Sequence, residues 1–452
     1  MCVCKFVCFF AFLSKNKEKR SIVKCIFASN FLLFDFFMKA KIYRGTNEIG
    51  GTCIELIAEN GKILWIDIGL PLDEKNPNVD YIKNNVDAIL ISHPHQDHFG
   101  LIENIKKEVP IYIGELALDL INATKIFRNI TPIAGNFKTI KPWKSFNIAD
   151  TFLIKPFLVD HSTPEAFAFL IEVDGKRVFY SGDFRATGRK KVLYKKLIEN
   201  PPQNIDLLLI EGTMVERTNH LYLTENSIED AILNIIKNQK NVSFVISSAQ
   251  NIDRFISVFR ACKKAHKYLV IDVYLAWVLE MVKKQSKNIP EIEWPEIKVF
   301  DHPHQLEKIK DKQFEDFRKR VIEQRIGNAV FQTPSDFVYF VRCPNEKLVN
   351  ELRSNGTINI IYSQWEGYLL EKHKNNNSDY INKLKTDNDV LFQVVHTSGH
   401  ATVPDLIEFA KAINPNKIIP IHTAFPDIFK KHFENEGFSN VDLWDNGIEY
   451  KL

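Results

Sequence analysis

The feature that most constrains this chain is the run His93-Pro94-His95-Gln96-Asp97-His98, which packs three imidazoles and a carboxylate into six residues. Imidazole nitrogen and carboxylate oxygen are the donors that zinc and similar divalent ions accept. The preceding residues, Val86-Asp87-Ala88-Ile89-Leu90-Ile91, are mostly apolar and rich in β-branched side chains. They predict a buried strand. The donors therefore stand where a strand gives way to a loop. His93 and His95, two apart, can point the same way in extended backbone, whereas Asp97 and His98 follow after the chain turns. The alternative is a solvated loop that happens to be rich in histidine, and such density of metal-binding groups is rare by chance.

The pattern His-x-His-x-Asp-His resembles the signature of the metallo-β-lactamase superfamily. That resemblance implies an αββα sandwich with a metal site along one edge of its two sheets. It also implies further donors at the ends of other apolar strands. Ile63-Leu64-Trp65-Ile66 runs into Asp67, matching a group that orients the ligand loop. Phe157-Leu158-Val159-Asp160 runs into His161, matching a third histidine ligand, and Arg177 to Gly182 runs into Asp183, matching a carboxylate that bridges two metals. The last histidine is matched by His422, after Lys417-Ile418-Ile419-Pro420-Ile421. More than half the chain separates it from Asp183, room for a whole inserted domain.

An insertion at that point resembles the β-CASP branch of nucleases. Glu211, at the end of Leu207-Leu208-Leu209-Ile210, matches its first motif. His400, in His396-Thr397-Ser398-Gly399-His400, matches its second, and His422 its third. Within the branch the chain is similar to ribonuclease J-like proteins. The similarity lies in Thr46 to Gly51 and in Ser247 to Arg254 with its Asn-Ile-x-Arg, while Tyr362 to Gly367 resembles the late insert strand and turn of the wider branch. Thr423-Ala424 stands where those proteins commonly carry Gly-Glu. The resemblance spans residues 39 to 452.

From it follow an α/β fold with a metallo-β-lactamase unit at 38–212 and 391–452, and an inserted α/β unit at 213–390. It implies two zinc ions, with manganese or magnesium as alternatives. His93, His95 and His161 would hold one, Asp97, His98 and His422 the other, and Asp183 would bridge both. The implied reaction is hydrolysis of RNA phosphodiester bonds by hydroxide held between two metals. His400 would be the general acid, helped by Glu211. Asp67 would orient the ligands, and His396 and Ser398 would hold a substrate phosphate. The implied partner is single-stranded RNA. DNA cleavage, as in Artemis-like relatives, and an inactive RNA-binding subunit are the competing functions. Artemis-like proteins usually carry Val where His422 stands, and inactive relatives lose ligands that this chain keeps. Exonucleolytic and endonucleolytic modes, and the oligomeric state, stay open.

With 452 residues, 45% hydrophobic and 25% charged, the chain can form two packed units. Its net charge is only +3, so any groove for nucleic acid must be local. Arg185, Arg189, Lys190 and Lys191, with Lys195 and Lys196, follow Asp183 closely. They read either as a phosphate holder or as a solvated helix face. His302-Pro303-His304 mimics a ligand pair but lacks a following Asp-His, so it reads as a decoy. His220, His266, His373 and His432 read as surface residues.

Residues 1–37 stand apart, with Cys2, Cys4, Cys8 and Cys25 among broken apolar runs too short for a membrane span. The expectation is a leader outside the folded unit, with Met38 as the physiological start. Cys53, Cys262 and Cys343 are scattered, which predicts reduced thiols and a cytoplasmic protein without a membrane anchor. Apolar spacing predicts a strand at 40–44 and helices at 227–238, capped by Ser227, and at 253–264. Strands are expected at 242–246 and 268–272. Lys308 to Arg325 reads as one amphipathic helix, Lys374 to Ser378 as a polar loop, and Phe392 to Val395 as the start of the return to the first unit.

Overall fold

The computed structural model describes residues 37–72, 77–217, 223–371 and 375–452. The expectations placed on the leader, on His220 and on His373 lie outside these residues.

Two mixed sheets face each other. The first has seven strands, from Glu449–Lys451 at one edge through Lys39–Arg44, Cys53–Ile57, Ile63–Ile66, Ala88–Leu90 and Pro110–Gly114 to Asn136–Ile140. The second has six, ordered Lys417–Ile421, Leu207–Glu211, Lys176–Tyr180, Ala166–Val173, Phe152–Val159 and Phe146–Ile148. The period-two geometry of a strand sends alternate residues to opposite faces. Leu64, Ile66, Ala88 and Leu90 thus meet Phe169, Val178, Leu207 and Leu209 in the core between the sheets. Trp65, Ile89 and Ile91 face outward onto Ala117 and Ile121 of the helix Glu115–Phe127. Leu208 and Ile210 face outward onto Leu406, Phe409 and Phe429, from the helices Val403–Ile413 and Pro426–Asn435. Helix, sheet, sheet and helix are therefore stacked as the αββα expectation requires.

A third sheet is wholly parallel, in the order Ile297–Phe300, Tyr268–Asp272, Phe337–Val341, Ser243–Ile246, Ile358–Tyr362 and Val390–Val394. Both faces are apolar, with Val245, Ile271 and Phe340 on one side and Phe244, Val270 and Tyr339 on the other. Parallel strands with both faces covered by helices account for this pattern. Val390–Val394 corrects one expectation. It pairs with Ile358–Tyr362 and completes this sheet before the chain returns.

Other boundaries also shift. The helix expected from Ser227 is Glu225–Ile236, capped by Thr224, with Ser227 in the reciprocal N3 position. The single helix expected over 308–325 is broken into Pro303–Lys308, a 3-10 turn at Lys312–Phe314, and Glu315–Glu323. The polar loop at its described end, from Asn375, is the capped start of the helix Asn376–Lys385. At Thr224 and Asn375 a side-chain cap outcompetes the apolar period in setting the boundary.

Candidate metal centre

Strand direction gathers the site. Ile63–Ile66 and Ala88–Leu90 run parallel, with Ile66 opposite Leu90. Asp67 and the His93 loop therefore leave the first sheet at the same edge. Lys176–Tyr180, Leu207–Glu211 and Lys417–Ile421 also run parallel, with Glu211 opposite Ile421. Asp183, Glu211 and His422 leave the second sheet together. Asp67 and His422 adopt left-handed backbone (φ 58° and 51°), as does Gly182 (φ 55°). Such torsions are costly for residues with a Cβ and turn the side chain sharply off the strand axis.

The first-sheet loop and the second-sheet ends converge on two sets of donors. His93, His95 and His161 form one, and Asp97, His98 and His422 the other, each with ligand atoms within 4.8 Å of one another. Asp183 Oδ2 lies between them, 3.2 Å from His98 Nε2, 3.8 Å from His93 Nε2 and 3.9 Å from His422 Nε2. His400 Nδ1 lies 3.7 Å from the same oxygen.

The hydrogen bonds behind the rings decide which nitrogen faces inward. Asp67 is wholly buried and can only accept. It accepts from Ser92 N (2.7 Å), Ser92 Oγ (2.8 Å), Tyr180 Oη (2.5 Å) and His98 Nδ1 (2.7 Å). His161 Nδ1 donates to Gly399 O at 2.7 Å. Ser92 Oγ, having given its proton to Asp67, accepts from His93 Nδ1 at 3.0 Å. Thr213 Oγ1 meets His422 Nδ1 at 2.9 Å and donates to the His422 carbonyl at 3.3 Å. Each ring is thereby left with an Nε2 lone pair aimed into the cluster.

Those lone pairs need a cation. His95 Nδ1 stands 3.1 Å from both His93 Nε2 and His161 Nε2. A single ring proton can satisfy at most one of these contacts. His98 Nε2 and Asp183 Oδ2 are buried without a hydrogen-bond partner, an arrangement that costs free energy unless something is bound. Burial pushes the His93 and His161 imidazoles well below their usual range, and His95 to about 4. These rings are neutral, as ligands must be. Burial would also lower His98, but Asp183 and Asp67 outweigh it and hold a positive charge there. A divalent ion would answer the same negative field and displace that proton. The donors present fit a metal centre.

His400 Nδ1 donates to Glu211 Oε2 at 3.0 Å, and Glu211 Oε1 accepts from Phe184 N at 2.9 Å. Burial would lower His400, yet the Glu211 carboxylate raises it above the ordinary imidazole range. Ser398 Oγ accepts from His400 N at 3.1 Å, and His396 lies half-buried on the same loop. The structure thus brings the candidate ligands together with Asp67, Glu211, Ser398 and His400.

It does not bear out the phosphate-holding use of Arg185. That side chain is wholly buried and spends its donors on Asp160 (3.2 Å), Glu225 (3.5 Å), Asp253 (2.6 Å) and Ser398 O (3.2 Å). Arg189 is likewise engaged with Glu229 and Ser257. His302 caps a helix by accepting from His304 N and joins no donor cluster. Ser92, Tyr180 and Thr213 were missed. Their only sequence signal was adjacency to a strand-end donor.

Two domain matches fall on this geometry. Residues 71–244 match the β-lactamase superfamily domain, and residues 389–443 match the Zn-dependent metallo-hydrolase RNA specificity domain. The chain carries a metallo-β-lactamase-superfamily domain. His93 to Glu211 fall in the metallo-β-lactamase match, and His396, Ser398, His400 and His422 in the second. An RNase J-like protein of Methanocaldococcus jannaschii is 29% identical over 184 residues, 38% of this chain and 42% of that one. Ribonuclease J of Mycoplasma genitalium is 23% identical over 420 residues, 86% of this chain and 69% of that one. This chain thus spans less than half of the first relative's length and about two thirds of the second's. A crystal structure of a protein of unknown function from Enterococcus faecalis shares the fold. It has a TM-score of 0.69 and 17% identity, over 92% of this chain and all of that one. Among the described residues no helix is long and apolar enough to cross a membrane, and Cys53, Cys262 and Cys343 are free thiols.

One glycine of the metallo-β-lactamase domain fixes Asp97. A Cβ on Gly69 would lie 1.8 Å from the Asp97 carbonyl oxygen and 2.8 Å from Thr52 N. Both are backbone atoms, so nothing can yield cheaply. Gly69→Ala is expected to cost about 1–3 kcal/mol by overpacking and to lower metal content by displacing Asp97. Thermal unfolding and elemental analysis of the purified variant check both, and normal values for both would refute the constraint.

Proposed function

We propose that this protein is a ribonuclease that hydrolyses single-stranded RNA with two zinc ions, or manganese or magnesium, in the cluster. The observation that carries the proposal is the convergence of His93, His98 and His422 Nε2 on Asp183 Oδ2, at 3.2–3.9 Å, between two sets of candidate ligand atoms. The match to an RNA specificity domain favours RNA as the substrate. Divalent ions held there would supply Lewis-acid polarisation of a phosphodiester and acidify water at neutral pH.

The chain's own residues have distinct tasks. His93, His95 and His161 form one ligand set, Asp97, His98 and His422 the second, and Asp183 serves both. Asp67 positions His98 and Ser92 without touching substrate. His400, protonated and hydrogen-bonded to Glu211, stands ready to donate from Nε2 to the leaving oxygen. His396 and Ser398 flank His400 and are assigned to the substrate phosphate. We place the protein in the cytoplasm, where its free thiols would stay reduced.

The test uses full-length protein with matched 5′-monophosphorylated RNA and single-stranded DNA, with zinc or manganese. Metal-dependent RNA cleavage is expected, lost in His95→Ala. Mononucleotides appearing first would indicate an exonuclease. Cleavage of DNA alone would move the protein to the Artemis-like function. Metal uptake without any cleavage would favour a non-catalytic RNA-binding subunit.

A further inference from the structure

Beside the metal cluster, two strand ends place an aromatic pair under a cation. Leu207–Glu211 runs out past Thr213, which touches the His422 ring, to Arg217. Ile358–Tyr362 runs out past Ser363 to Trp365 and Tyr368. The Arg217 guanidinium lies over the Trp365 ring, 4.3 Å from its centroid. Trp365 meets Tyr368 edge to face at 5.4 Å and 81°. Gly367 makes room for this packing, since a Cβ there would come within 2.2 Å of the Trp365 ring. Tyr362 Oη donates to Trp365 O at 3.3 Å and fixes the turn.

One of the two rings is accessible. Tyr368 is 49% exposed, which distinguishes it from a buried packing aromatic. Thr213, four residues before Arg217, touches the His422 ring, and Ser363, two residues before Trp365, accepts from Arg254, which also donates to Thr397 O on the His400 loop. A half-exposed ring packed edge to face on a tryptophan that a guanidinium covers presents what an unpaired nucleobase stacks on. Aromatic and arginine surfaces bind bases largely without regard to sugar.

We propose that Tyr368, held by Trp365 and Arg217, is the stacking platform for a nucleobase flanking the scissile bond. The proposal rests on the nuclease function proposed above and adds a subsite to it. Its test is steady-state cleavage by the full chain of RNA and single-stranded DNA oligomers, each intact or with one abasic nucleotide at successive positions. One abasic position is expected to raise the wild-type KM about tenfold, the size of one lost stacking contact. Tyr368→Ala should raise the KM for intact substrate by a similar factor, with kcat changing much less. The abasic nucleotide should then have no further effect. Tyr368→Phe should behave as wild type. Whichever of RNA and DNA is cleaved should show the same factor, because the base is what is held. An unchanged KM in Tyr368→Ala, or an abasic effect that persists in it, would overturn the platform. Wild-type cleavage with no sensitive position would do the same while leaving the nuclease intact. Failure of wild-type protein to cleave either polymer would remove the nuclease function itself.

Discussion

Asp183→Asn is expected to slow RNA hydrolysis by about 10³-fold or more while leaving the fold in place. Asparagine keeps the size of the side chain and removes its charge. The effect should be large because of where the carboxylate stands. Its Oδ2 is the atom on which His93, His98, His422 and His400 converge, at 3.2–3.9 Å. Burial alone would push this carboxyl up, but the imidazoles around it hold it well below the ordinary range. It is therefore a full negative charge in a dry site, where each interaction is worth most. In the proposed two-metal reaction, losing several kcal/mol of transition-state stabilisation corresponds to about three decades of rate. Asp97 pairs with His98 at 4.0 Å and with His422 at 3.2 Å, so Asp97→Asn should cost less. Steady-state kinetics, circular dichroism and metal content on the same preparations measure the effect. An Asp183→Asn enzyme with wild-type rate and metal content would show that the cluster is not the reaction centre.

How much of this site was legible depended on what kind of evidence each residue left. The ligands were readable because a strand end is a fixed address, and apolar runs ending in His, Asp or Glu mark it six times over. The distant return at His422 came from the resemblance, which asks for a last histidine at such a strand end. What orients the rings was not readable. Tyr180 looks like any core aromatic, and only three-dimensional register brings its hydroxyl to Asp67. Arg185 illustrates the converse error. A cluster of basic residues suggests phosphate, yet sequence cannot show that Asp160, Glu225 and Asp253 surround the first of them. The strand Val390–Val394 was assigned to the wrong unit for a related reason. Apolar alternation identifies a strand but does not name its neighbour.

That misread arginine gives the largest stability effect. Arg185→Met is expected to destabilise the protein by about 3–5 kcal/mol, because it removes one charge from a buried network and leaves its partners unpaired. Arg185 and Arg254 are both wholly buried and share Glu225, at 3.5 Å and 3.0 Å. Arg185 donates to Ser398 O and Arg254 to Thr397 O, each at 3.2 Å. His161 holds the next carbonyl, that of Gly399. Three successive carbonyls of the His400 loop are thus held from behind, so the same substitution should also loosen His400. The network has an acid limit of its own. Burial would raise the Glu225 carboxyl, but Arg254 and Arg185 win and hold it at about 2, against an ordinary 4.5. A depressed carboxylate contributes stability that is present above the unfolded value and is lost as pH falls through the folded one. The window is therefore about pH 4.5 down to 2, and the contribution is on the order of 3 kcal/mol. Asp160 runs the other way, since burial raises it despite Arg185. The Glu225 share must consequently be read as a difference from Glu225→Gln, which should be less stable at neutral pH and lose less on acidification. Urea unfolding at a series of pH values measures both curves. Parallel curves for wild type and Glu225→Gln would mean that this carboxylate does not stabilise the fold through its charge. The Arg185→Met result would then have to come from the pairs with Asp160 and Asp253 and from packing.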